Sequence, residues 1–253
     1  NEPLISASER TLVSFVGRAQ YDYKNKYYLT ASFRSDGSSV FGDNNKWGYF
    51  PAVALGWNIH KEEFMGRLDA LNNLKLRLSY GSVGNEAIGP YGSLSTANQN
   101  DYIFNGQIST GYIPGNSLPN PNLIWETSTT FNSALDFGLW NNRVTGTFEY
   151  YNTRTKDLLV SKTLNAALGY TSILSNIGEI ENKGFEFAVN GYVVDKKDFK
   201  INAGVIFSAN KNEIISLYGL DEDGDGIEDD DIGNKWFIGC LLYTSDAADE
   251  VDR

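Results

Sequence analysis

From Thr11 to Ala209 apolar and polar residues alternate in about eight segments, joined by links that are by turns tight and long. Phe15, Gly17, Ala19, Tyr21 and Tyr23 fall on one face, opposite Arg18, Gln20 and Asp22. After a tight link, Leu29, Ala31 and Phe33 alternate with Tyr28, Thr30, Ser32 and Arg34. Further rows are Val53, Leu55, Trp57 and Ile59; Leu74, Leu76, Leu78 and Tyr80; and Phe131, Leu135, Phe137 and Leu139. The last three are Val144, Phe148 and Tyr150; Phe185, Phe187, Val189 and Val193; and Ile201, Ala203, Val205 and Phe207. A period of two puts successive side chains on opposite faces, which is the signature of a strand. The short links are Asn25-Lys26, Asn141-Asn142 and 195–198; the long ones include 85–121 and 155–177.

Such alternation has two physical homes. In a soluble sandwich the apolar face points to a core; in a membrane barrel it points to lipid and the polar face lines a lumen. Three features favour lipid. Polar faces mix Arg or Lys with Asp or Glu, which suits a wet interior. Aromatics gather near segment ends, at Tyr21 to Tyr28, Trp47 to Phe50, Trp140 and Tyr150-Tyr151, as interfacial girdles do. The segments also reach the roughly ten residues that cross a bilayer at a tilt. The pattern therefore predicts an all-β, antiparallel transmembrane β-barrel fragment of about eight strands. Short turns at one rim and long loops at the other are the layout of such barrels. The turns 25–26, 141–142 and 195–198 then lie on the periplasmic side, and 35–48, 85–121, 155–177 and the stretch after Ala209 lie outside. The link 60–72 is periplasmic by parity, and the helical spacing of Phe64, Leu68 and Leu71 predicts a short amphipathic turn along that rim.

Composition narrows the chemistry. A net charge of −11 over 253 residues excludes a basic nucleic-acid binder. No apolar run is long enough for a membrane-spanning helix, and the opening Asn1-Glu2-Pro3-Leu4 has no signal-peptide character. Near the end, Cys240 to Glu250 reads CLLYTSDAADE, whose back-translation is similar to a transposase adapter used in sequencing libraries. We therefore divide the chain into a barrel section, 1–239, and adapter read-through, 240–253, which is not native. Setting 240–253 aside removes four acids, one base and the single Cys, and the net charge moves from −11 to −8. With no thiol and only His60, thiolate and zinc catalysis lack parts. The carboxylates show no acid/base pairing, and Gly81 to Asn85 is not followed by the Lys-Ser/Thr of a phosphate loop, so no enzyme is expected.

Long stretches carry a family resemblance. NKYYLTASFRSDGSSVFGDNNKWGYFPAVALGWNIHKEEF (25–64), LKLRLSYGSVGNEAIGPY (74–91), the run from Leu118 to Leu159, NIGEIENKGFEFAVNG (176–191) and GDGIEDDDIGNKWFIG (224–239) resemble the barrel of SusC/RagA-type TonB-dependent outer-membrane transporters. The likeness runs in order over nearly all of 11–239. It implies a barrel of about 22 strands with an N-terminal plug, of which this chain is an interior slice. It also implies import of glycan or peptide fragments at the cell outer membrane, a SusD-like surface lipoprotein as lid, and energy delivered through TonB. The alternative is a stand-alone eight-stranded β-barrel, an adhesin or glycan-binding module, since eight strands can close a small barrel.

Two sets of candidate site residues follow. Asp221, Asp223 and Asp225 alternate ahead of Gly226, as in the first half of a Ca²⁺ loop, but Ile232 stands where the bidentate Glu belongs. Asp229 could substitute, and an all-carboxylate donor set selects Ca²⁺; the other reading is a solvated acidic loop whose eight acids (221–231) equal the whole residual charge of −8. Tyr91, Tyr102, Phe104, Tyr112 and Trp125 could stack on sugar rings or grip peptide side chains, or could pack the long loop on itself. Arg34 and Asp36 suggest an ion pair at a loop-closing turn.

Overall fold

The computed structural model describes residues 8–66, 70–165, 167, 169–221, 223–233 and 235–240. Its strands, in chain order, are β1 (Leu12–Tyr23), β2 (Tyr27–Ser38), β3 (Trp47–Asn58), β4 (Leu71–Asn85), β5 (Ala97–Phe104), β6 (Gln107–Pro114) and β7 (Ser117–Leu118). They continue with β8 (Glu126–Leu139), β9 (Val144–Lys156), β10 (Leu159–Thr163), β11 (Ser172–Asn176), β12 (Glu179–Lys196) and β13 (Phe199–Ser216). Among the described residues no helix is long and apolar enough to cross a membrane.

Eight strands form one antiparallel meander in the order β1-β2-β3-β4-β8-β9-β12-β13. Its register joins the predicted apolar rows into continuous bands. One band runs Tyr23, Tyr27, Trp57, Leu76, Leu135, Phe148, Phe187 and Phe207 across all eight strands. The side chains of this face look outward and are wet in the isolated chain: Leu55 is 50% and Phe207 54% exposed. A soluble sandwich would bury such a face, whereas a barrel wall leaves it to lipid. The sheet stays open. Among the described residues β1 and β13 do not pair with each other, so the closed eight-stranded barrel of the alternative reading is not formed. Among the described residues the outer edge of β13 carries a short contact at its outer end, where Ile214 bonds to Gly239 and Cys240.

Tight turns hold the ends that the sequence pattern places on the periplasmic side. Lys24 and Asn25 (φ 53° and 52°) and Asn141 and Asn142 (both 59°) take the left-handed conformation that a two-residue hairpin turn requires. The first of these turns sits one residue earlier than the predicted Asn25-Lys26, because the Lys26 N–H closes the turn on the Tyr23 carbonyl at 3.0 Å. At 195–198 the strands run on to Lys196 and resume at Phe199. The predicted amphipathic turn is instead two 3-10 turns, Ile59–Lys61 and Glu63–Met65; Phe64 lies exposed on the second and Leu71 opens β4. Leu68 lies outside the described residues.

On the outer side the long links are not featureless. Segment 85–121 contains the β5–β6 hairpin, and 155–177 contains β10 and β11, which join β7 in a three-stranded sheet. β13 continues past Ala209 to Ser216. Over these loops lies the cluster of buried apolar residues Val40, Phe41, Phe50, Ile88, Leu123 and Trp125, flanked by Leu159 and Leu174. Asn side chains stitch it together. Asn176 accepts the Ile124 N–H (2.8 Å) and donates to the carbonyls of Ile124 (2.8 Å) and Asp157 (2.9 Å), while Asn120 donates to Leu174 (2.9 Å). A side-chain amide carries both a donor and an acceptor, so it can stand in for a strand partner where loops cannot pair regularly.

Candidate functional site

The face opposite the apolar bands is the lumen side. One of its rows reads Arg18, Ser32, Ala52, Gly81, Thr130, Thr153, Asn182 and Asn212. Neighbouring hydroxyls satisfy one another across strands, Thr130 with Thr153 at 2.9 Å and Ser128 with Thr155 at 2.8 Å. Charges on this face are paired where β4, β8 and β9 meet. Arg77 donates to both oxygens of Asp136 (2.8 and 3.1 Å), Thr147 donates to Asp136 (2.9 Å), and Asn132 donates to Glu149 (2.6 Å). The arrangement is a mutually bonded polar wall. Arg34 and Asp36 do form an ion pair, at 2.6 Å, but within β2 rather than in a turn.

Of the five predicted aromatics, four are presented and one is buried. Tyr102 and Phe104 share one face of the β5–β6 hairpin and are 52% and 70% exposed; Tyr112 lies on the other face at 73%. Tyr91 is half-exposed, in a tight turn at φ 64°. Trp125 is a core residue of the loop cap: 7% exposed, 5.1 Å from Phe41 and 5.6 Å from Phe50 between ring centroids, with its indole N–H on the Lys46 carbonyl at 3.0 Å. It therefore packs the cap and offers no ring face to a ligand. The hairpin itself was legible: Asn105-Gly106, with φ 52° and 75°, is the residue pair that a type I′ turn favours.

In the acidic turn, one carboxylate oxygen from each of Asp221, Asp223 and Asp225 lies within 4.8 Å of the others, and all three residues are exposed. These oxygens already accept backbone N–H groups: Asp221 from Gly224 (2.7 Å) and Gly226 (2.9 Å), Asp223 from Asp225 (3.1 Å), and Asp225 from Ile227 (2.8 Å). Asp229 stands outside this trio, its N–H bonded to the Leu220 carbonyl at 2.8 Å. Glu222 lies outside the described residues.

At the opposite rim, Glu62 gathers the girdle. It accepts from Tyr27 (2.5 Å), Trp57 (3.0 Å) and Lys26 (3.2 Å). The Tyr27 hydrogen bond, then those of Trp57 and Lys26, hold its carboxyl down at about 2.

Comparison with known proteins agrees with this geometry. The model of the family described as TonB dependent receptor-like, beta-barrel, matches residues 4–239. TonB-dependent receptor P26 of Formosa agariphila is 41% identical over 210 residues, which is 83% of this chain and 21% of that protein. TonB-dependent receptor SusC of Bacteroides thetaiotaomicron is 40% identical over 223 residues, 85% of this chain and 22% of that protein. The solved structure of the RagAB peptide transporter superposes with a TM-score of 0.80 at 29% identity, covering 92% of this chain and 25% of its counterpart. The chain thus spans about a fifth of the length of these curated relatives. It belongs to the TonB-dependent receptor family, of the SusC/RagA type, and its sheet is a section of an outer-membrane barrel wall.

Proposed function

We propose that this chain is the wall section of a transporter that imports glycan or peptide fragments across the outer membrane, with a SusD-like surface lipoprotein as partner and TonB as the source of energy. The observation that carries the reading is the two-sided wall, with lipid-ready bands outside and a self-bonded polar face inside, in the fold of a peptide transporter. No catalytic role is assigned. In this reading Tyr91, Tyr102, Phe104 and Tyr112 are the aromatic contacts for substrate or lid, because large rings bind with little loss of side-chain entropy. Asp221, Asp223 and Asp225 are the candidate Ca²⁺ ligands, with Asp229 as reserve; terbium luminescence unchanged by D221N/D225N would remove that assignment. Residues 240–253 remain adapter read-through in this reading.

The test is uptake. Cells with and without the gene are given fluorescent maltoheptaose and a fluorescent hexapeptide. We expect energised accumulation of one of them to need the gene and to fall several-fold with Y102A/F104A. Equal accumulation of both probes in the two strains would sink the import reading.

A further inference from the structure

On β9, β12 and β13 the outward face changes character at one level. Going outward along each strand, Tyr150 gives way to Asn152, Arg154 and Lys156; Phe185 to Lys183, Glu181 and Glu179; and Ala209 to Lys211 and Glu213. The register sets these residues side by side: Asn152, Lys183 and Lys211 in one row, and Arg154, Glu181 and Glu213 in the next. Parity puts them on the same face as the lipid-facing Phe148, Phe187 and Phe207, directly above the apolar band. The inner face at this height is uncharged, with Thr153, Thr155, Asn182 and Asn212. The charge here is therefore turned away from the lumen.

The two signs are not presented equally. The side chains of Glu179, Glu181 and Glu213 are only 13–16% exposed, whereas those of Arg154, Lys156 and Lys211 are 47–60% exposed and that of Lys183 is 37% exposed. Arg154 pairs with Glu179, Lys183 with Glu181 and with Glu213 (3.0 Å), and Lys211 with Glu213. The carboxylates lie beneath and fix four cationic heads above them. Whatever touches this collar meets donors, and what lies at this level against an outward barrel face is the headgroup layer of the outer leaflet.

We propose that this collar is a binding site for the phosphate groups of an outer-leaflet glycolipid, whose acyl chains lie on the apolar band below. Continuity with the lipid-facing band and complementary charge both select that occupant. Cations at a membrane surface attract anionic headgroups by roughly 1 kcal/mol each, and fixed heads lose less freedom on binding.

The test uses the parent receptor containing this chain, purified in detergent and delipidated. It is titrated with diphosphoryl hexa-acyl lipid A and with the dephosphorylated lipid, and bound lipid is counted by native mass spectrometry. We expect preference for the phosphorylated lipid, a loss of roughly thirtyfold in K183Q/K211Q, and no change in K200Q at the opposite rim. E213Q, which removes one negative charge, frees Lys211 and leaves Lys183 held by Glu181, should bind more tightly. Heat-modifiable migration reports insertion; if the double variant fails to insert, K156Q carries the same test with a smaller loss. Equal affinity for the two lipids would overturn the proposal, as would unchanged binding in the inserted variants or loss of a co-purifying protein in place of lipid.

Discussion

The wall and the cap solve opposite problems with the same residue types. In the wall, Phe148, Phe187 and Phe207 face outward and stay exposed in the isolated chain; in the cap, Phe41 and Trp125 are buried, against Phe50 from the inner face of β3. The difference lies in the solvent each expects. The wall has its backbone satisfied strand to strand, so its side chains are free to meet lipid. The cap stands in water, has few regular ladders, and must bury its own apolar surface while Asn176 and Asn120 satisfy loop backbone. One part of the chain is built for hydrocarbon and the other for water, and the boundary between them is the outer rim of the sheet.

The largest expected effect breaks the cap. Trp125→Ala removes a ring held by Phe41, Phe50 and the Lys46 carbonyl and should cost about 3–5 kcal/mol of cap stability. Phe187→Ala on the wall should cost much less, because lipid fills the space. Hydrogen exchange of 86–96 and 119–125 checks the first, and urea unfolding of the parent receptor in vesicles checks the second; equal costs would erase the distinction.

Next comes the wall's intolerance of charge. Leu135→Arg, opposite Leu76 and Phe148 in mid-band, should destabilise the folded barrel by about 2–4 kcal/mol, measured by the same unfolding in vesicles. An arginine accepted there without cost would mean that this face meets water.

A third prediction concerns the hairpin that stands out from the cap. Gly106 sits at φ +75° with open space around it, so Gly106→Val strains the backbone without a clash and should weaken the hairpin by about 1–2 kcal/mol. Faster exchange confined to 97–114, with the wall unchanged, is the expected result.

The smallest effect is at the periplasmic rim. Glu62 has a folded pKa of about 2 against an ordinary 4.5. Its contribution is fully present above the ordinary value and is lost as pH falls through the folded one. Stability measured from pH 5 down to 2 should fall in the native chain, and the fall should be shallower in Glu62→Gln. Identical profiles would show that the girdle does not depend on this carboxylate.

Much of this was legible in the chain. The rows Leu74 to Tyr80 and Phe131 to Leu139 announced their strands, and the two Asn-bearing turns announced the tight-turned rim. Asn105-Gly106 announced a hairpin with equal force, but it was masked by the polar composition of the loop around it. The reading of Trp125 as a presented aromatic failed for another reason. Burial depends on Phe41 and Phe50 and on the Lys46 carbonyl, all more than seventy residues upstream, and no local pattern records them.

By itself, the sequence determined strand periodicity, the two-faced character of each strand and the alternation of tight and long links, because these depend on neighbours one to four positions away. Only the tertiary structure decided which rows join into one band, which loops bury one another, and where the charges of β9, β12 and β13 align above the lipid face. Those outcomes rest on register and on contacts between distant segments, whose energies are set by the partner strand rather than by the residue's own neighbours.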